Sequence, residues 1–303
     1  MEKINHLTIS VIIPTYNRRH ELEKLLHSLN RQTLPSSQFE IIVVDDGSTD
    51  GTPEVLDQFG DLIRLVKFEK NQGAIAARNH GASLATGEYL VFLDGDDIFM
   101  PWTLQVYERL IETQNPKIIL GQRSYFRGEV PKMGAKDTPD KIDFVNYQNW
   151  LQKDRGVAFG ASGFVLNSKT FWDVGGWSPG IFHLDMPEIL LKLCLSGTSI
   201  IVLSPSTVWY RIHSNNTTHS IAEMIQCGHS LLKKEKLGEY PGGRKHWFER
   251  SSLLGGPMLF WIKRGIEKGL YREAIMLAGP AGLIIFATIV RRFVAILKGR
   301  REV

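Results

Sequence analysis

Cysteine is nearly missing: Cys194 and Cys227 are the only two in 303 residues. That excludes a disulfide framework and a cysteine-rich zinc site. A surplus of one charge sign is also missing, since 36 Lys and Arg face 32 Asp and Glu for a net charge of +4. So small an excess gives no reason to expect a nucleic-acid partner. The first residues, Met1–Ser10, lack a basic stretch followed by an apolar run, so no signal peptide is read and a cytoplasmic chain is expected. No internal repeat or low-complexity tract is visible. Nor does the first apolar run lead into G-x-G-x-x-G; it leads into Pro14-Thr15-Tyr16-Asn17, which excludes the dinucleotide fingerprint of a nicotinamide-dependent dehydrogenase. What is present is ordinary globular composition, 43% hydrophobic and 22% charged. Such a chain can bury a sizeable core, as one large domain with an appendage or two modest ones.

The first half alternates two periods. Strands are predicted at Thr8–Pro14, Glu40–Val44, Ile63–Phe68 and Tyr89–Leu93, all short and rich in β-branched or aromatic residues. Between them lie helical patterns. Leu22, Leu25, Leu26 and Leu29 mark one over Glu21–Arg31; others cover Thr52–Phe59, Ala74–Ala85 and a stretch from Pro101 to about Thr113. Alternation at this pitch predicts an α/β fold, a mainly parallel sheet flanked by helices. From Gly121 to Asn149 the sequence is polar and aperiodic, and an excursion with one or two short helices is expected. Phe164–Leu166 reads as a strand and Pro187–Leu195 as a helix. Ser199–Leu203 and Thr207–Ile212 read as two closing strands. Beyond Asn215 the pattern is helical only, which predicts domains at 1–215 and 216–303.

Polar clusters follow the strand ends, where open α/β sheets bind ligands. F-L-D-G-D-D (92–97) delivers Asp94, Asp96 and Asp97 into a turn at Gly95. Carboxylates so close repel unless a cation sits among them, and oxygen ligands favour Mg²⁺ or Mn²⁺; equally, Asp is common in turns that cap helices. V-V-D-D-G-S-T-D (43–50) places Asp46 where it could accept hydrogen bonds from a base or ribose, or serve with Ser48 and Asp50 in capping. P-T-Y-N (14–17) offers a fixed bend at Pro14 and a flat face at Tyr16. N-Q-G-A-I-A-A-R-N-H-G (71–81) buries Arg78 among alanines, aimed at an anion or paired with a nearby aspartate. H-L-D (183–185) puts Asp185 at a helix start, as cap or as base. Y-R-I-H-S-N-N-T (210–217) ends a strand with His213, either structural or a metal ligand.

In this order and spacing, P-T-Y-N-R, V-D-D-G-S-T-D, N-x-G-x-x-x-A-R-N, L-D-G-D-D and Y-R-x-H resemble the family 2 glycosyltransferases, inverting nucleotide-sugar enzymes of the Rossmann-like GT-A fold. The likeness covers roughly residues 8 to 217. It implies that Pro14 and Tyr16 line the nucleotide base pocket, that Asp46 hydrogen-bonds the base and that Arg78 anchors the nucleotide. It implies Asp94 on the ribose or sugar, Asp96 on a Mn²⁺ or Mg²⁺ that binds the diphosphate, and His213 on the diphosphate or metal. Family members carry Glu-Asp at the acceptor-side helix; here the text is His183-Leu184-Asp185-Met186-Pro187-Glu188. Alignment on Leu184-Asp185 makes Asp185 the general base, with Glu188 as second choice. UDP is the expected nucleotide, with GDP and dTDP as alternatives. Rival readings are a nucleotidyltransferase, whose basic Gly-rich first loop is reduced here to Arg18 and Arg19, and a degenerate membrane-bound scaffold.

The C-terminal helical appendage contains seventeen uncharged residues at 274–290, A-I-M-L-A-G-P-A-G-L-I-I-F-A-T-I-V, followed by R-R-F-V-A-I-L-K-G-R-R. Gly279, Pro280 and Gly282 are expected to kink or break it. Membrane association in the plane of the surface, a soluble helical hairpin and a true span are the three arrangements considered. A membrane surface favours a glycan or polyprenyl-linked acceptor.

Overall fold

The computed structural model describes residues 8–131, 139–148, 160–181, 184–213 and 221–297. His183, the stretch after His213 up to 220, and the terminal Lys298, Arg300 and Arg301 lie outside the described residues. The chain divides into two compact units. The first comprises described residues within Met1–Asn146, Phe159–Pro179 and Thr198–His213; the second, those within Tyr147–Ala158, Gly180–Gly197 and Ser214–Val303.

The first unit begins β1 (Ile9–Thr15), α1 (Arg19–Leu29), β2 (Phe39–Asp45), α2 (Thr52–Asp57), β3 (Arg64–Lys67), α3 (Ala74–Leu84), β4 (Tyr89–Phe92), β5 (Ile98–Phe99) and α4 (Thr103–Gln114). It continues with β6 (Ile118–Phe126), β7 (Asp143–Tyr147), β8 (Phe164–Asn167), α5 (Ser168–Asp173) and, after α6, β9 (Ser199–Arg211). The sheet order is β3-β2-β1-β4-β8-β6-β9-β5, with β7 paired to β9. Strands β1 to β4 run parallel, β8 is antiparallel to β4 and β6, and β9 is parallel to β6. The sheet is therefore mixed, with the expected parallel half carrying the first four strands.

Side-chain alternation explains the layers. Ile9, Val11 and Ile13, with Ile41, Val43 and Val91, pack with Leu22, Leu25, Leu26 and Leu29 of α1 and with Leu104, Leu110 and Ile111 of α4. Residues one step along face the other way, toward α3. There a Cβ on Gly81 would stand 2.7 Å from Ile12 and 3.2 Å from Val44, so the Ala- and Gly-rich face is what lets α3 lie so close. Burying each of the four α1 leucines contributes about 1.5–3 kcal/mol as an upper figure.

Three expectations are corrected. The polar stretch after Gly121 is strand, not helix, where it is described: β6 runs on to Phe126, and β7 follows. Register shifts between Leu120 and Arg123 let β6 keep pairing with β9. The two closing strands are one element, β9, which stays extended from Ser199 to Arg211 although its pairing with β6 jumps from Ile201 to Ser206. The second unit holds α6 (Asp185–Lys192), α7 (Ile221–Leu237), α8 (Trp247–Glu267) and α9 (Tyr271–Leu297). α9 is one continuous helix through Gly279, Pro280 and Gly282, contrary to the predicted break. Pro280 is solvent-exposed, so the carbonyl it leaves without a donor can turn to water.

Candidate active site

Strands β1, β2 and β4 end nearly level. Thr15 stands opposite Asp45, and Leu93 donates its amide to the Ile12 carbonyl. β9 runs parallel with them and contributes its own carboxyl end. Seven of the eight residues singled out in the sequence belong to this edge of the first unit: Pro14, Tyr16, Asp46, Arg78, Asp94, Asp96 and His213.

The loops after β1 and β2 brace one another. Asn17 adopts a left-handed backbone (φ 51°). Its amide donates to the Ser48 hydroxyl (2.9 Å), and its own side-chain oxygen accepts from the Thr49 amide (2.8 Å). Thr52 Oγ1 and Asp50 Oδ2 accept from the amides of Arg18 and Arg19, supplying partners for the first turn of α1. Asp50 is consequently held below the usual carboxylate range: the slight burial that raises it is outweighed by bonds from Thr52 and the Arg19 amide. Pro14 is buried within β1, while Tyr16 is 46% exposed and presents its ring at the edge. Asp46 is buried, and its two oxygens accept from the amides of Gln72 (2.7 Å) and Gly73 (2.8 Å). It thus fixes the turn that opens α3. Asp45 closes its own turn on the Ser48 amide (3.1 Å). Gly47 is required there twice over, by φ 78° and because a Cβ would lie 2.9 Å from the Lys70–Asn71 backbone.

The turn after β4 is closed by the Asp97 amide donating to the Asp94 carbonyl (3.1 Å). Gly95 is needed for close approach: a Cβ would meet Thr15 Oγ1 at 3.1 Å and the Pro14 carbonyl at 3.2 Å. Each carboxylate has its own environment. Asp94 Oδ1 accepts from Arg78 Nη2 at 2.6 Å, with side-chain exposures of 32% and 7% respectively. The Arg78 guanidinium lies 5.2 Å from the Trp177 ring centroid. Of the two roles foreseen for Arg78, pairing with an aspartate is present. Asp96 Oδ2 lies 2.9 Å from His213 Nε2 and 3.2 Å from Arg18 Nη2. Asp97 is turned inward, accepting from the Ser162 hydroxyl (2.5 Å) and the Arg211 amide (2.9 Å). Burial, and then the charges of Asp96 and Asp94, push its carboxyl well above the usual range, against those two hydrogen bonds.

Three contributors escaped the sequence reading. Ser162 links Asp94 and Asp97, since its hydroxyl also accepts from the Asp94 amide (3.0 Å), and no local pattern announces it. Arg211 donates to the carbonyls of Asp96 (3.0 Å) and Gly128 (2.9 Å); it stands inside Y-R-I-H and was passed over for His213. Arg18 was counted only as loop charge.

A divalent ion was expected on Asp96 and His213. One carboxylate oxygen and one imidazole nitrogen facing each other suit Mn²⁺ better than an all-oxygen Mg²⁺ shell. Among the described residues no group of three His, Cys, Asp or Glu side chains could hold a metal ion. Two side-chain donors, Asp96 and His213, would leave the other positions of such an ion to phosphate oxygens and water.

Asp185 belongs to the second unit, as the first residue of α6, where its Oδ1 accepts from the Met186 amide (2.8 Å). The helix N-terminus favours its ionised form. Glu188, the second choice, is fully buried and pairs with Lys234 at 2.9 Å, a structural arrangement.

Comparison with known proteins follows the same lines. The family model described as Glycosyl transferase family 2 matches residues 10–175. An uncharacterized glycosyltransferase of Haemophilus influenzae is 44% identical over 190 residues, spanning 61% of this chain and 61% of that relative. The poly(ribitol-phosphate) beta-N-acetylglucosaminyltransferase TarS of Staphylococcus aureus is 30% identical over 169 residues, 50% of this chain and 30% of TarS. The match thus spans under two thirds of either relative's length. The crystal structure of TarS 1–349 in complex with UDP aligns with TM-score 0.66 at 18% identity, over 85% of this chain and 74% of that one. The mannosyltransferase PcManGT of Pyrobaculum calidifontis, in complex with GDP-Man and Mn²⁺, aligns with TM-score 0.57 at 18% identity, over 97% and 88%. Both structures speak to the fold.

Proposed function

Given that the chain belongs to glycosyl transferase family 2 and carries its GT-A fold, we propose that it transfers a sugar from a nucleoside-diphosphate donor to a hydroxyl of a glycan or polyprenyl-linked acceptor, inverting the anomeric centre. The observation that carries this reading is the convergence of Tyr16, the Asp46-braced turn, the Arg78–Asp94 pair and the Asp96–His213 pair at one row of strand ends. UDP is the favoured nucleotide, because TarS binds it on the same fold.

Each residue then has a task. Pro14 and the exposed ring of Tyr16 flank the base, and Asp46 and the turn it holds offer hydrogen-bonding groups to its edge. Arg78, already desolvated, holds Asp94 at 2.6 Å and orients it toward the ribose or sugar hydroxyls. Asp96 and His213 would hold Mn²⁺ or Mg²⁺ beside the diphosphate. When bound, such an ion offsets the negative charge that grows on the leaving diphosphate. Asp185 takes the acceptor proton as the hydroxyl attacks, and the helix dipole at the start of α6 supports its ionised form. A single displacement needs no covalent enzyme intermediate.

The test is calorimetric titration with UDP, GDP and dTDP with and without Mn²⁺, followed by slow hydrolysis of the matching nucleotide-sugars. Binding of UDP with Mn²⁺, and hydrolysis lost in Asp96→Ala, would support the reading. A folded chain that binds none of the three nucleotides would overturn it in favour of a non-catalytic scaffold.

A further inference from the structure

The last helix has two faces with opposite surroundings. One is sealed within the second unit: Ala274, Leu277, Ala281, Ile284 and Ala287 are buried. Polar ties lock it to α8. The Thr288 hydroxyl donates to the Ser251 carbonyl (2.6 Å), and Arg291 donates to the carbonyls of Phe248 and Glu249. Glycines let the two backbones approach at both ends, Gly255 against Thr288 and Gly265 against Ala274. The opposite face carries Ile275, Leu283, Phe286, Ile289 and Phe293, each between 56% and 71% exposed. Gly279 and Gly282 lie between them with nothing within 4 Å of a Cβ. The spacing 275, 279, 282, 286, 289, 293 is a single helical stripe. Exposed cations stand at its ends, Lys268 and Arg272 before it and Arg292 beside its end.

We propose that this stripe rests on an anionic lipid leaflet, with α9 lying in the membrane plane and the α8–α9 hairpin intact. From Ile275 to Phe293 the stripe is about 27 Å long at roughly 1.5 Å per residue. Its large apolar side chains form one continuous row instead of being scattered singly over the surface. By length and composition Tyr271–Val294 could cross a membrane, but crossing would strip α9 from α8 and carry Thr288 and Arg291 into hydrocarbon without their carbonyl partners on α8. Taking α8 along would carry the buried Arg250–Glu235 pair of α8 and α7, as well as Lys263, Arg264 and Glu267. A second copy is disfavoured by size. A stripe about 27 Å by about 10 Å offers roughly 270 Å², against about 800 Å² per partner in stable complexes. An apolar face with cationic ends matches instead the chemistry of an anionic surface. The inference rests on the second unit alone and survives or fails independently of the catalytic reading.

The experiment is co-sedimentation of the whole chain with phosphatidylcholine vesicles containing one quarter phosphatidylglycerol, and with pure phosphatidylcholine. Binding should favour the anionic vesicles. It should fall at least ten-fold in Phe286→Asp and in Phe293→Asp, while Leu62→Asp, an exposed leucine of the first unit, behaves as the parent. Single substitutions Ile275→Cys, Phe286→Cys and Phe293→Cys, labelled with a depth-sensitive fluorophore while Cys194 and Cys227 stay buried, should report the same shallow depth. A profile deepest at Phe286 would overturn the proposal in favour of a span. A vesicle-indifferent dimer broken by Phe286→Asp, or a folded monomer that ignores both vesicles, would overturn it as well.

Discussion

Arg78→Ala removes a cation at the centre of the strand-end cluster, and its cost can be worked from the geometry. Arg78 is almost fully buried, bonds Asp94 at 2.6 Å and lies 5.2 Å from the Trp177 ring centroid. Breaking a buried pair by deleting one partner costs about 3–5 kcal/mol. Asp94 keeps about a third of its side chain in water, which lowers the figure to about 2–3 kcal/mol. Nearby Asp96 and Asp97 then repel the uncompensated carboxylate. Asp94→Asn in the same background removes that repulsion, so the double variant should recover about 1–2 kcal/mol of the loss. Native-state hydrogen exchange at the β1 and β4 amides reads the opening free energy of the first unit directly and avoids assuming that both units unfold together. A loss below about 1 kcal/mol, or an Asp94→Asn effect equal with and without Arg78, would refute the idea that the guanidinium neutralises this carboxylate.

Gly95→Ala should cost no more than about 1–2 kcal/mol in stability yet weaken UDP binding several-fold, because the Pro14 carbonyl cannot retreat from the new methyl group; calorimetry with UDP checks it. Glu40 should make the first unit pH-dependent. Burial raises its carboxyl, but bonds from Ser10 and Thr86 to Oε1 outweigh that and hold it below the ordinary 4.5. Its contribution is therefore present above pH 4.5 and lost as the pH falls through the lower folded value, so Glu40→Gln should lower the urea midpoint at pH 7 and match the parent in strong acid. Gly255→Ala drives a methyl into the Thr288 hydroxyl and within 3.1 Å of the Ile284 carbonyl. It should cost about 2 kcal/mol in exchange protection of α8 and α9 and leave nucleotide affinity unchanged. Asp185→Asn should lower turnover by about 10²-fold or more with donor affinity intact, whereas Glu188→Gln, which abandons Lys234, should act on stability; reversed outcomes would exchange their roles.

Much of the first unit was legible because its strands are buried on both faces. Ile9–Thr15, Phe39–Asp45 and Tyr89–Phe92 are mainly apolar runs, and each gives way within a few residues to a polar turn, so their approximate boundaries are written in composition. β6 was not legible beyond Leu120. Gln122, Arg123, Ser124 and Tyr125 are partly or largely exposed, and what keeps them extended is the backbone of β9, which no local pattern reveals. β9 reads as two strands because Ser-Pro-Ser looks like a turn, whereas the chain stays extended there while β6 shifts register beside it. α9 was expected to break because propensity is a local quantity, and the packing of Leu277, Ala281 and Ile284 within the unit outweighs one exposed proline.

Which residues gather at the strand ends was legible in the sequence, and how they are paired there was only partly so. Three aspartates within four residues suggested mutual repulsion awaiting a metal. In the folded chain the repulsion is answered from inside: Arg78 takes Asp94, Arg18 and His213 share one oxygen of Asp96, and Asp97 withdraws onto Ser162 and the Arg211 amide. Acid crowding alone therefore does not diagnose a metal site, since arginines, an imidazole and hydrogen bonds offset part of the repulsion. On the proposed reading, the difference among the three singles out Asp96 as the carboxylate for an ion. Asp97 is committed to the interior and Asp94 to a guanidinium, whereas Asp96 shares its Oδ2 with an imidazole whose nitrogen is itself a metal ligand type. On that reading, Asp96 and His213 would hold a divalent ion beside the diphosphate, while Asp94 and Asp97 would continue to anchor the turn through Arg78, Ser162 and the Arg211 amide.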